Sequence, residues 1–127
     1  MAIVGLGTDI VEISRIERQL KKSQRLAERV LTPFELEVFL QHKFPARFLA
    51  KRFAAKEAAV KAIGIGIGNG ISFQDVEVRN LPTGQPVLKF YAKFAEVCIE
   101  LKVSNSFISI SDEQHYAMAS VVLESTS

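Results

Sequence analysis

The sequence predicts an α+β domain in which helices pack on a largely antiparallel sheet. Three observations carry that expectation. A β-branched segment runs from Ile3 to Val11, a long apolar-periodic run opens at Pro45 and stops at Gly64, and two apolar stretches near the C-terminus flank a polar turn. With 127 residues, 48% of them hydrophobic, one core can form and two cannot, so a single domain over residues 1–127 is expected.

Taken in order, Ile3 to Val11 reads as a buried strand ending near Thr8 and Asp9, with Gly5 and Gly7 marking close backbone packing. Ile13, Ile16 and Leu20 then share one helix face, while Arg15, Arg18, Lys22 and Arg25 recur at i, i+3, i+7 and i+10 on another; Ser23 is a point of interruption. Thr32-Pro33-Phe34-Glu35 has the form of a capping box with proline in the first turn, predicting a helix to about Gln41. Pro45 starts the longest helix, which carries Phe48, Leu49, Phe53, Ala54, Ala58, Val60 and Ala62 to a stop at Gly64.

Beyond the glycine-rich turn Gly64 to Gly70, Val76 and Val78 alternate with Asp75, Glu77 and Arg79 as a strand should. Residues Asn80 to Pro86 form a turn, Val87 to Phe90 a short strand and Tyr91 to Lys102 a helix. Phe107 to Ile110 and Tyr116 to Leu123 make a β-hairpin around Ser111 to His115, and residues 125–127 are expected to fray.

Composition excludes several classes. The single cysteine, Cys98, permits no disulfide within the chain, and its neighbours Phe94, Val97 and Leu101 at helical spacing indicate a structural thiol. No charged leader precedes the short apolar start and no stretch approaches 18 apolar residues, which points to a cytoplasmic protein that does not cross a membrane. The net charge of +2 hides an asymmetry: residues 15–61 hold 12 of the 16 Lys/Arg and five of the 14 Asp/Glu, giving +7 there and −5 elsewhere. One face therefore suits a phosphate-bearing or acidic partner.

Glu57 and Lys61 stand at i, i+4 on the long helix. Alone, such a pair is a common surface stabiliser worth about 0.3 to 0.5 kcal/mol. Here alanines at 54, 55, 58, 59 and 62 surround it and admit a second backbone, placing the pair at an interface. Asp9, at a strand end, serves equally as a helix cap or in chemistry. Together Asp9 and Glu57 can offer the two hard oxygen ligands that magnesium usually takes from protein, its shell completed by water and phosphate, with Lys61 steadying the phosphate as a point charge.

Gly7-Thr8-Asp9-Ile10-Val11-Glu12 with Arg15-Ile16, and Arg52-Phe53-Ala54-Ala55-Lys56-Glu57-Ala58 through Lys61-Ala62-Ile63-Gly64, resemble the two signatures of the holo-acyl-carrier-protein synthase family, the small bacterial 4′-phosphopantetheinyl transferases. The likeness extends over nearly the whole chain, including Gly84-Gln85-Pro86 and Ser109-Ile110-Ser111. It implies a single transferase domain that moves the phosphopantetheine arm of coenzyme A to a serine of apo acyl carrier protein, releasing adenosine 3′,5′-bisphosphate, in fatty acid biosynthesis. By the same resemblance Asp9 and Glu57 are the Mg2+ ligands, and Glu57 and Lys61 the catalytic pair. Arg52, Lys61, Gly64, Gly66 and Pro86 fall where the family meets coenzyme A, and a homotrimer has its sites between subunits. The stripe Arg15, Arg18, Lys22 and Arg25 then docks the acidic helix of the carrier protein.

The chain departs from the family at Asp112, where many members have histidine after Ser-Ile-Ser; His115, three residues on, reads as an exposed turn residue, and His42 has no partner at metal-ligand spacing. A rival reading is a noncatalytic basic module for RNA or an acidic protein. It lacks the interleaved aromatic platform nucleic acid needs, since Phe44, Phe48 and Phe53 fall at core spacing, so no nucleic acid partner is expected. A nucleotide-binding glycine loop is also disfavoured, because Gly64 to Gly70 follows a helix rather than a strand.

Overall fold

In the computed structural model, which describes residues 1–126, the β-branched start becomes β1 (Ala2–Glu12) and pairs antiparallel with β5 (Tyr116–Ser125). β5 is the centre of a three-stranded sheet whose other edge is β4 (Val103–Asp112), also antiparallel. Between β1 and the next strand run four helices, α1 (Ile13–Lys22), α2 (Arg25–Val30), α3 (Pro33–Gln41) and α4 (Pro45–Ile63). A separate antiparallel pair, β2 (Val76–Asn80) and β3 (Pro86–Phe90), precedes α5 (Ala92–Glu100). The α+β class is as the sequence predicts, with the strands divided between two sheets.

The first strand is less buried than its β-branched run suggests. Period-two alternation turns Gly5, Gly7, Asp9 and Val11 towards α4, while Leu6, Thr8 and Ile10 face outward, Leu6 being 69% exposed. The glycines are required by contact, not by backbone angle. A Cβ on Gly5 would lie 2.2 Å from the Ala62 carbonyl oxygen and one on Gly7 1.9 Å from that of Ala58. The alanines of α4 thus admit a second backbone, as expected, but it is β1 of the same chain; Ala54, Ala55, Ala58 and Ala59 are wholly buried within it.

Local signals place the helices well. Ser23 ends α1, so Arg25 opens the next helix and the basic stripe is split between α1 and α2. Thr32 and Glu35 close the capping box with Pro33 in the first turn. Gly64 stops α4 in the left-handed region at φ 73°, which a side chain would disfavour.

Two polar residues are buried by the fold. Glu77, a polar residue of the alternating strand, is buried, and Thr32 Oγ1 donates to its Oε2 over 2.6 Å. Ser125, expected to fray, is buried at the end of β5 beside Ala2, while Ser127 lies outside the described residues. Cys98 is buried on α5, and burial pushes its thiol up to about 11, which suits a structural role. Among the described residues no helix is long and apolar enough to cross a membrane.

Candidate active site

Because β1 lies directly on the α4 backbone at Ala58 and Ala62, Asp9, two residues past Gly7, comes within reach of Lys61 on the same turn. Lys61 Nζ donates to Asp9 Oδ1 over 2.9 Å and to the Thr8 carbonyl over 3.0 Å. Asp9 therefore does not cap a helix: β1 continues to Glu12, which holds the N-cap position of α1. Nor is Lys61 spent on Glu57 one turn away; its ion pair is with the strand.

Glu57 is half-buried and makes no hydrogen bond or ion pair among the described residues. Burial, and next the negative charge of Asp9, push its carboxyl above the usual range, against the opposing fields of Lys61 and Arg29. Two carboxylates close enough to repel, one of them without a partner, form the hard oxygen pair a divalent cation would relieve. No group of three or more His, Cys, Asp or Glu at metal-binding spacing occurs among the described residues. The residues present therefore fit a hydrated ion completed by a substrate's phosphates better than a closed protein cage. Glu57, Lys61, Gly64 and Gly66 line one cleft of about 400 Å³, with Ile65 and Ile67 on its wall.

Arg52 lies elsewhere. Its guanidinium stacks on Phe48 at 4.6 Å and donates from Nη2 to Asn80 Oδ1 over 3.1 Å, while its Nε is buried without a partner. Asn80 pairs with Pro86 across β2 and β3 and donates to the Gly84 carbonyl over 3.0 Å. His42, Arg47, Lys51, Arg52 and Asn80 line a second, basic cleft of about 260 Å³ that shares no residue with the first. Within one chain the residues assigned to the donor thus fall into two groups: Lys61, Gly64 and Gly66 with Asp9 and Glu57, and Arg52 with Pro86.

The sequence model of the 4′-phosphopantetheinyl transferase superfamily matches residues 5–121. The chain belongs to this family. It is 73% identical, over 98% of its length and 99% of the relative's, to a holo-[acyl-carrier-protein] synthase of Pseudoalteromonas atlantica. A crystal structure of the holo-[acyl-carrier-protein] synthase of Neisseria meningitidis superposes with a TM-score of 0.90 at 42% identity, covering 97% of this chain and 99% of that one. A Bacillus anthracis holo-(acyl-carrier-protein) synthase in complex with CoA (3′,5′-ADP) gives 0.81 at 42% identity, covering 98% of each chain.

Against this family background Asp112 has a definite local role. Its Oδ2 accepts from Arg47 Nη1 at 2.7 Å and its Oδ1 faces Lys51 Nζ at 3.5 Å, while Arg47 also donates to the Glu113 carbonyl at 2.7 Å. The β4–β5 turn is thereby stapled to the start of α4. His115 is exposed in that turn and His42 lies against Phe48, rings 5.1 Å apart.

The hydrogen bond from Arg47 holds the Asp112 carboxyl below its usual range, burial opposing and Lys51 assisting. A carboxyl depressed by folding stabilises above its unfolded pKa of about 3.9 and ceases to do so as pH falls through the folded value. Asp112→Asn is therefore expected to cost about 1 kcal/mol in melts at pH 7 and progressively less below about pH 4. An equal cost at pH 7 and pH 2 would refute the pairing.

Sequence reasoning missed Asn80, Arg47, Lys51 and Arg29. The Lys51-Arg52 doublet one turn beyond Arg47 was a visible sign of a basic helix end, but Asn80 reads only as a turn residue. The stripe residues Arg15, Arg18, Lys22 and Arg25 are all exposed, and Arg18 approaches Glu12 at 3.7 Å.

Proposed function

We propose that the chain is a holo-[acyl-carrier-protein] synthase, transferring 4′-phosphopantetheine from coenzyme A to a serine of apo acyl carrier protein. The observation that carries the reading is the meeting of Asp9, Glu57 and Lys61, distant in sequence, at a cleft floored by the Gly64 to Gly66 turn.

The serine Oγ forms a bond to the pantetheine-side phosphorus of the diphosphate, the bridging P–O bond breaks, and adenosine 3′,5′-bisphosphate departs with the electron pair. Lys61, anchored on Thr8 and Asp9, stabilises the charge that the diphosphate oxygens gain. Glu57, free of other partners and with its carboxyl raised, takes the serine proton directly or through a water. Asp9 and Glu57 would hold Mg2+, which when bound neutralises the developing phosphate charge. The backbone at Gly64 and Gly66 lets the donor approach closely, and Arg52 with Pro86 receives the rest of coenzyme A.

The same reading takes Arg15, Arg18 and Lys22 of α1 and Arg25 of α2 as the docking face for the acidic carrier protein, and places the protein in the cytoplasm within fatty acid biosynthesis. It also takes the chain as a homotrimer with sites between subunits. What supports assembly is the outer face of the β1–β5–β4 sheet, where Leu6, Val122 and Phe107 share a register row and Ile10 and Met118 another, flanking a hydroxyl row of Thr8, Ser120 and Ser109. Ile10 is 61% exposed and Phe107 54%, so large apolar side chains are gathered on this outer face. Assembly through this face would also allow the two separate clefts to combine across a subunit boundary. Sedimentation equilibrium is expected to give three times the chain mass of 14.1 kDa; a monomer at micromolar concentration would remove the trimer.

The direct test incubates the protein with coenzyme A, Mg2+ and apo acyl carrier protein and weighs the carrier protein by mass spectrometry. The expected gain is one phosphopantetheine per chain, and no gain would overturn the proposal.

A further inference from the structure

Lys56, immediately before Glu57, is a fully buried side chain with 0% exposure, and nothing in the transfer chemistry uses it. Its Nζ donates to Glu35 Oε1 and, over 2.6 Å, to the carbonyl of Val30, the last residue of α2. Glu35, equally buried, accepts from the backbone N–H of Thr32 at 2.9 Å and of Val78 at 2.8 Å. One ion pair therefore ties together α2, α3, α4 and β2, with every partner satisfied.

Stability alone does not account for it. Well-packed apolar residues of similar volume would hold these elements about as firmly, because desolvating both charges offsets most of their attraction. Directed hydrogen bonds add orientation. Nζ must reach two acceptors on two helices, so α4 cannot turn about its axis, nor α2 slide along it, without losing one. The neighbours of the two anchor points are Glu57 on α4 and Arg29 on α2. Arg29 lies over the Phe73 ring at 5.4 Å, and its charge is among those reaching Glu57.

We propose that Glu35 and Lys56 are a positioning pair for the active site: by clamping the end of α2 to α4 they fix the rotation of α4 that aims Glu57 at Asp9. The inference rests on Glu57 being a site residue.

The test is the full-length variant Glu35→Gln/Lys56→Met, which removes both charges at nearly constant volume. Circular dichroism should report a folded protein with a cooperative melt. In it kcat is expected to fall about tenfold or more while KM for coenzyme A stays within about threefold. Mn2+ binding, followed by water-proton relaxation without turnover, should weaken about tenfold. A folded double variant with wild-type kcat and Mn2+ affinity would make the pair merely structural and overturn the proposal. Should the double variant not fold, Glu35→Asp decides. It keeps both charges but shortens the reach to Lys56, and is expected to lower kcat several-fold with KM for coenzyme A within about threefold; a folded Glu35→Asp protein with wild-type kcat would overturn the clamp. If Glu57→Gln is as active as wild type, it is the site assignment that fails instead.

Discussion

Glu57→Gln is expected to lower kcat for phosphopantetheine transfer by at least about a hundredfold while leaving the fold intact. The substitution keeps the shape of the side chain and removes its charge, so it takes away one of two proposed cation ligands and the proposed proton acceptor together. It should not destabilise the protein. Glu57 makes no hydrogen bond among the described residues, and its carboxyl is disfavoured by burial and by Asp9, so neutralising it relieves an existing cost. The expected result is thus a melting temperature equal to or above that of the wild type, with mass gain on the carrier protein nearly abolished. Activity within threefold of wild type at saturating Mg2+ would show that the two-carboxylate centre is wrongly placed.

Gly7→Ala should act in the opposite way, on the fold first and on the chemistry through it. The new methyl would stand 1.9 Å from the Ala58 carbonyl oxygen and 2.8 Å from the Ala62 nitrogen, both backbone atoms of α4 that cannot swing aside as a side chain would. The strand must lift, and overpacking of this kind costs about 3 kcal/mol, enough to lower the melting temperature by roughly 10 °C in a domain of this length. Asp9 lies two residues along the same strand, so lifting β1 also pulls it from Lys61. Thermal melts and turnover of the folded fraction should therefore fall together. A variant with an unchanged melting temperature would mean that β1 does not rest on α4 as described.

Much of this was legible in the sequence because the signals were local. The Thr32 to Glu35 box, the Pro45 start and the Gly64 stop each depend on a few neighbouring residues, and each element ends where those residues dictate. Gly5 and Gly7 announced close packing, yet they do not say what packs; the alanines of α4 suggested a second backbone at an interface, and that backbone is the chain's own first strand. The burial of Glu77 was not legible, because the Thr32 hydroxyl that satisfies its carboxylate lies 45 positions away and no alternation pattern encodes so distant a partner. The separation of Arg52 from Glu57 follows from helix geometry. Five residues along α4 turn the side chain well away from the original face, so nearness in the signature does not mean nearness in space. Lys56 could not be read as buried at all, since a lysine between alanines and a glutamate looks like solvent-facing charge until Glu35 and Val30 are known to surround it.

β1 carries two unrelated tasks on its alternate residues. Gly5, Gly7, Asp9 and Val11 serve the helix side, and Leu6, Thr8 and Ile10 serve the outer side. Deleting Thr8, between Gly7 and Asp9, would exchange these sets beyond that point, sending the carboxylate outward and the Ile10 side chain into its place. The strand can therefore tolerate changes of residue far better than changes of length, and a register shift of one would disturb the proposed cation site and the outer apolar face in the same stroke.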